Sequence, residues 1–176
     1  MDITTTGNPI LANLFRFNQW ANVELIDACA QLDAGLLDEA LPGTQGSVRS
    51  TLWHMVELEY RYLGALQGTP GASDYALPGA PDGELAALRA LALDSGEQLV
   101  AWAESTAGDP LIETEFQGQP FSCPASVFAA QILNHAKEHR QQLHEALLAR
   151  GVEMPDLSAW VWWYTTQQVG LESATI

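Results

Sequence analysis

Apolar residues recur every three or four positions along most of the chain, the spacing that aligns side chains on one face of an α-helix. In the first such segment, Asn8 is a suitable N-cap and Pro9 suits the first helical position. The pattern fades near Gly35. We therefore predict a long first helix whose buried stripe comprises Ile10, Leu14, Phe17, Ala21, Leu25, Ala28 and Leu32.

The same spacing predicts three further long helices. The second follows an N-cap at Ser47 and ends near Gly68, the third spans about 83–105, and the fourth spans about 125–150. Gly96 weakens the third helix by roughly 1 kcal/mol relative to alanine. The connection over 69–82 holds three prolines and two glycines, which is typical of a long loop.

Two shorter features complete the predicted fold. Residues 111–123 favour a hairpin that turns near Gln117–Gly118–Gln119. A short helix after Pro155 carries aromatic side chains that we expect to pack on the bundle or at a dimer contact, namely Trp160, Trp162, Trp163 and Tyr164. Residues 1–176 are thus predicted to form one all-α domain, a four-helix bundle with a long crossover connection and a short β-hairpin before the fourth helix.

Composition narrows the possible partners. The 176 residues include 22 Asp and Glu but only 7 Lys and Arg, which gives a net charge of −15. Such a surface repels phosphate backbones and anionic lipid, so we expect no nucleic-acid or membrane partner. We see neither a signal-peptide pattern nor an apolar run of about 18 residues. We therefore expect a cytoplasmic protein with reduced Cys29 and Cys123, of which Cys29 lies on the apolar stripe of the first helix.

Candidate chemistry begins in the fourth helix, where His135 and His139 fall within the apolar arc. At a spacing of four residues both imidazoles project from one face, so they can converge on one divalent ion. The alternative is that both are buried core histidines, which would then need hydrogen-bond partners. Of the two other histidines, His144 points away from the pair, and His54 lies at the edge of the second helix's stripe and not at its centre.

Two carboxylates also carry candidate roles. Glu138 completes an H-x-x-E-H pattern with the histidine pair, so it is either a general base for a metal-activated water or a solvated helix charge. Glu59 falls in the middle of the second helix's apolar stripe. A buried carboxylate needs a partner, either a cation or a metal-ligating histidine that it supports.

In order and spacing, several motifs together resemble the DinB/YfiT-like family of four-helix metalloproteins. The first helix carries Phe17-Asn18-Gln19-Trp20-Ala21-Asn22, and the second carries Thr51-Leu52-Trp53-His54 followed by Glu59 and Tyr62-Leu63. The fourth carries Asn134-His135 and the run Glu138-His139-Arg140-Gln141-Gln142-Leu143. The likeness extends over nearly the whole chain.

The resemblance implies a metal site of His54, His135 and His139 that holds zinc or nickel, and it implies a homodimer. It further implies thiol-dependent transfer or isomerisation of a small-molecule substrate, with a low-molecular-weight thiol such as mycothiol or bacillithiol as co-substrate. Two other hypotheses stay open: a metal-dependent hydrolase assisted by Glu138 or Glu59, and a non-catalytic stress protein that binds a metal or ligand.

Overall fold

The computed structural model describes residues 7–77, 84–116 and 118–172, and it confirms the predicted all-α fold. A hairpin of β1 (Leu111–Phe116) and antiparallel β2 (Gln119–Pro124) precedes the fourth long helix. The helices in the described part of the chain are α1 (Pro9–Cys29), α2 (Ala34–Asp38), α3 (Val48–Leu66), α4 (Leu85–Ser105), α5 (Ala125–Leu148) and α6 (Ala159–Glu172). The predicted turn residue Gln117 lies outside the described residues.

Side-chain caps fix where α1 and α3 begin. The Asn8 side chain accepts a hydrogen bond from the Leu11 amide, and Pro9 occupies the first helical turn, as predicted. At the start of α3, Ser47 accepts from the Ser50 amide while the Ser50 hydroxyl accepts from the Ser47 amide. This reciprocal pair satisfies two otherwise unpaired backbone donors. It sets the first turn of the helix that carries His54.

Interhelical contacts define the order of the four long helices. The Asn8 amide donates to the Ala103 carbonyl, and Arg89 pairs with Asp27, so α1 and α4 run antiparallel. Tyr60 donates to the Leu91 carbonyl and Trp102 donates to the Leu66 carbonyl, so α3 and α4 run parallel. Because parallel neighbours cannot be joined by a tight turn, the connection from α3 to α4 is the long crossover of the bundle.

The apolar core consists of two clusters. The buried members of the first cluster include Leu52, Met55, Leu88 and Leu143. Those of the second cluster include Phe15, Leu63, Leu99 and Ile132. Along α1, α3 and α4, buried polar residues separate the positions that belong to the first cluster from those that belong to the second. They are Asn18, Asn22, Glu59 and Ser95. A buried polar layer therefore divides the core of the bundle into two apolar halves.

The predicted buried stripe of α1 is wrong in its first half. Ile10 and Leu14 are 76% and 44% exposed, whereas Phe15 is fully buried. The buried face is rotated because it includes Asn18 and Asn22, which hydrophobic periodicity assigns to solvent.

Three smaller details also differ from the prediction or refine it. The short helix α2 is absent from the sequence-based prediction. Gly96 leaves α4 unbroken and packs closely against Gln19. A Cβ at this position would lie 2.4 Å from the Gln19 Cγ.

In α6, Trp162 packs on Phe17 with ring centroids 5.7 Å apart, whereas Trp160, Trp163 and Tyr164 are exposed.

Two sequence-based expectations agree with the fold. Cys29 is buried in the core, and Cys123 is half-buried in β2. No helix among the described residues is both long and apolar enough to cross a membrane.

Candidate metal centre

Three imidazoles from two antiparallel helices meet between α3 and α5. The ring centroid of His54 lies 5.2 Å from that of His135 and 4.9 Å from that of His139. His135 and His139, one helical turn apart on α5, have centroids 4.4 Å apart. The structure therefore brings together the three histidines that the sequence singled out, although 81 residues separate His54 from His135.

The ring nitrogens of the three histidines fit a shared divalent ion. The Nε2 atom of His135 lies 3.3 Å from Nε2 of His54 and 3.0 Å from Nε2 of His139. Imidazole nitrogens bind zinc at about 2.0–2.1 Å, so two ligands of one tetrahedral ion lie about 3.3 Å apart. One ligand atom from each residue lies within 4.8 Å of the others. The donor set therefore suits a metal in both spacing and chemical type.

Burial favours the neutral imidazoles that metal coordination needs. Desolvation, reinforced by the neighbouring histidines, lowers the pKa of His135 to about 4. Desolvation and the proximity of His139 also lower the pKa of His54. Since only the neutral ring has a free nitrogen lone pair to donate, both side chains are ready to act as ligands near neutral pH.

Gln142 fixes the tautomer of His139. The side-chain carbonyl oxygen of Gln142 lies 2.8 Å from Nδ1 of His139. A carbonyl oxygen can only accept, so Nδ1 carries the proton and Nε2 keeps its lone pair towards His54 and His135. A partner of this kind orients a metal-ligating imidazole and raises its basicity.

His144 and Glu138 lie outside this cluster. His144 is half-buried on another face of α5 and does not join the three histidines, as expected. Glu138 is exposed. Its assignment as a general base stays a prediction, and its exposure is what a solvated helix charge would show.

Glu59 lies at the centre of the buried polar layer. Its Oε2 accepts hydrogen bonds from the amides of Asn18 and Asn22, at 2.9 and 3.1 Å, and its Oε1 accepts one from the Ser95 hydroxyl at 2.6 Å. The side-chain oxygens of the same two asparagines accept hydrogen bonds from Nη1 of Arg140. The two asparagines thus bridge a carboxylate and a guanidinium, and the layer connects all four long helices.

The donors around Glu59 suit its ionised form. Burial raises the pKa of Glu59, while the bonds from Ser95 and the asparagines, together with the charge of Arg140, oppose that rise. Burial lowers the pKa of Arg140 to about 10, which leaves it charged at neutral pH. We therefore treat the layer as a buried pair of opposite charges, Glu59 and Arg140, which Asn18 and Asn22 bridge.

Sequence reasoning missed most of this layer. Arg140 lies in the apolar arc of α5, and Asn18 and Asn22 are four residues apart on one face of α1. That spacing is the available signal, because two amides on one face can together bridge a charged pair. Ser95 carries no comparable signal in the sequence.

A small, mostly apolar cavity adjoins Tyr62. It has a volume of about 120 Å³, and its lining from α3, α5 and the hairpin includes Leu58, Phe121 and Phe128 together with the polar residues Arg61 and Glu115. The Tyr62 ring lies 6.0 Å from the ring of His135 and 6.4 Å from that of Phe128. Tyr62 therefore contacts both the cavity and the ring of His135, although none of the three histidines lines the cavity itself.

Comparison with known proteins gives one match. The model of the DinB family matches residues 1–165. No curated protein and no solved structure matches the chain significantly.

We predict that Glu59→Gln destabilises the fold by about 3–5 kcal/mol, because it leaves the charge of Arg140 buried without its counter-charge. Glu138→Gln makes the same chemical change at an exposed position and should stay within about 0.5 kcal/mol of the parent. Urea unfolding of the three proteins measures both free energies. Equal stability of the two variants would contradict the assignment of a buried ion pair.

Proposed function

The chain belongs to the DinB family, and from that premise we propose that it is a metal-dependent enzyme whose single divalent ion, zinc or nickel, is held by His54, His135 and His139. The reaction we propose is thiol-dependent transfer, with a low-molecular-weight thiol as co-substrate and a small electrophile as substrate. The observation that carries the proposal is the convergence of three Nε2 atoms at separations suited to one ion.

The number of protein ligands supports catalysis. Structural zinc sites are closed by four protein ligands, whereas catalytic sites have three and leave a position open. Among the described residues, the group that could hold an ion comprises the three histidines alone. A divalent ion in such a site would act as a Lewis acid and lower the pKa of a thiol, so that more of the thiol would be thiolate at neutral pH.

The surrounding residues orient the ligands and border an apolar cavity. Gln142 holds the proton of His139 on Nδ1. Tyr62 packs edge-on against His135, and its hydroxyl lies 3.4 Å from the Gln131 amide nitrogen. The cavity of about 120 Å³ beyond Tyr62 is comparable in size with a buried cavity of about 150 Å³ that holds benzene. An electrophile with one small apolar group is the substrate that this cavity would accept.

The hydrolytic alternative has less support. It assigns an assisting role to Glu138 or Glu59, and both oxygens of Glu59 are occupied by hydrogen bonds from Asn18, Asn22 and Ser95. Glu138 is exposed to solvent. We therefore give neither carboxylate a proton-transfer role in the proposed reaction. The homodimer implied by the family resemblance stays a prediction.

The metal content of histidine variants tests the ligand set. We expect the purified protein to bind about one equivalent of zinc or nickel, and His54→Ala, His135→Ala and His139→Ala each to lose most of it, because two imidazoles bind far more weakly than three. His144→Ala is the matched control and should keep the parent content, as measured by elemental analysis. Full metal content in any of the first three variants would remove that residue from the site.

A second prediction concerns Gln142. Gln142→Met removes the acceptor for the Nδ1 proton and should weaken metal affinity by about 10–100-fold in chelator competition. Gln142→Glu keeps an acceptor and should bind at least as tightly as the parent. Gln141→Met is the control, since Gln141 bonds to Glu145 and not to a histidine. Equal affinities of Gln142→Met and Gln141→Met would show that the bond does not tune the site.

Turnover tests the reaction class. The metal-loaded protein should consume a halogenated or epoxide electrophile with bacillithiol, mycothiol or glutathione, and His135→Ala should abolish the activity. The assay follows loss of free thiol together with appearance of the thioether. Absence of metal-dependent turnover with all three thiols would contradict the proposed transferase, and metal-dependent ester cleavage without thiol would favour a hydrolase.

A further inference from the structure

A second cavity lies on the opposite flank of α5 from the histidine cluster. It is a groove of about 670 Å³ between α1, α5 and the segment 154–158 that leads to α6. At about 100° per residue, the α5 positions that line it point more than 90° away from His135. They are Leu133, Lys137, Arg140, Gln141 and His144. The groove is thus separate from the proposed metal centre, and its volume is that of a typical small-molecule site.

Positive charge is concentrated in this groove although the chain as a whole is strongly acidic. Of the seven Lys and Arg residues, five arginines form ion pairs with carboxylates elsewhere on the surface. The remaining two cations, Lys137 and Arg140, both line the groove. Neither forms a direct salt bridge within the described part of the chain, and Arg140 is linked to Glu59 only through Asn18 and Asn22. His144 lies one turn beyond Arg140 on the same wall.

Arg140 is a fixed cation, unlike a mobile surface arginine. It is only 8% exposed, and Asn18 and Asn22 accept hydrogen bonds from its Nη1. Because these bonds restrain the guanidinium, an anion that meets it in the groove would order little additional side chain. Arginine presents several donors in a rigid fork, which suits a carboxylate or a similar planar anion.

The rest of the groove is mostly apolar. Its other walls include Leu14, Phe17, Leu133, Met154 and Leu157. Leu14, which the helical periodicity of α1 assigns to the core, is 44% exposed here. Asp156 is the acidic residue in the lining, and its carboxylate accepts a hydrogen bond from the Ser158 amide. This acid disfavours a second negative charge on a ligand.

We propose that this groove binds an amphipathic organic anion: one carboxylate, or a comparable single-charged group, on a hydrocarbon or ring body. The charged group contacts Arg140 and Lys137, and the apolar body lies along Leu14, Leu133 and Leu157. Binding at this site does not require the metal, so it can be tested independently of the proposed reaction.

Octanoate is the test ligand, 1-octanol its uncharged counterpart, and calorimetry or NMR titration of the full chain the measurement. We expect saturable 1:1 binding of octanoate that weakens with added salt, and binding of octanol at least about tenfold weaker. Lys137→Glu should weaken octanoate binding about tenfold. Arg150→Glu changes the net charge equally, but Arg150 pairs with Glu39 outside the groove, so this control should stay within about twofold of the parent.

Two further variants test whether octanoate occupies the groove itself. Leu157→Asp should abolish octanoate binding, whereas His54→Ala should leave it unchanged because His54 lies on the other flank of α5. Equal binding of octanol and octanoate, equal effects of Lys137→Glu and Arg150→Glu, or no binding at all would overturn the proposal. A dimer contact at the groove would also overturn the proposal. In that case sedimentation would show a dimer that does not bind octanoate, and Leu157→Asp would convert it to a monomer.

Discussion

The buried bridge from Glu59 through Asn18 and Asn22 to Arg140 is the interaction on which the arrangement of the bundle depends. A carboxylate and a guanidinium are costly to bury unless hydrogen bonds compensate them, and side chains of the long helices supply such bonds in the register observed. Glu59 follows His54 on α3 by about one and a half turns, and Arg140 directly follows His139 on α5. The register that satisfies the charges is therefore the one that brings the imidazoles together.

The metal ligands could be predicted from the sequence to different degrees. The pair of His135 and His139 stands out because two histidines four residues apart in an apolar arc project from one face, a pattern that fits metal ligands and hydrogen-bonded core histidines alike. His54 lies at the edge of its helical stripe, and the structure shows why: the histidines meet on the flank between α3 and α5, so an edge position points at the site. Helix starts at Asn8 and Ser47 follow from local capping chemistry and need no tertiary information.

The remaining features depend on contacts between distant segments. Periodicity places Ile10 and Leu14 on the buried face of α1 because it counts hydrophobic residues, whereas Asn18 and Asn22 are buried through their bonds to Glu59 and Arg140. The sequence suggests that Gly96 weakens α4, yet a side chain there would collide with Gln19 of α1. Gln142 stands beside the ligating pair in sequence, but its bond to Nδ1 of His139 depends on a rotamer that no spacing specifies.

Helix α5 carries chemically different side chains on two opposite flanks. One flank presents His135 and His139 to His54, with the pKa of His135 lowered by burial, and the other presents the cations Lys137 and Arg140. Arg140 belongs both to the buried layer and to the groove, so the fixed charge that organises the bundle is also available to a ligand. In a chain with a net charge of −15, this local concentration of positive charge gives an approaching anion one favourable site.

The sharpest test of the three-histidine centre is X-ray absorption at the zinc edge, with the protein loaded with one equivalent of zinc. We expect a first shell of nitrogen and oxygen atoms at about 2.0–2.1 Å, with the outer-shell scattering of three imidazole rings. A sulfur neighbour at about 2.3 Å, or scattering from fewer than three imidazoles, would show that His54, His135 and His139 do not hold the ion together.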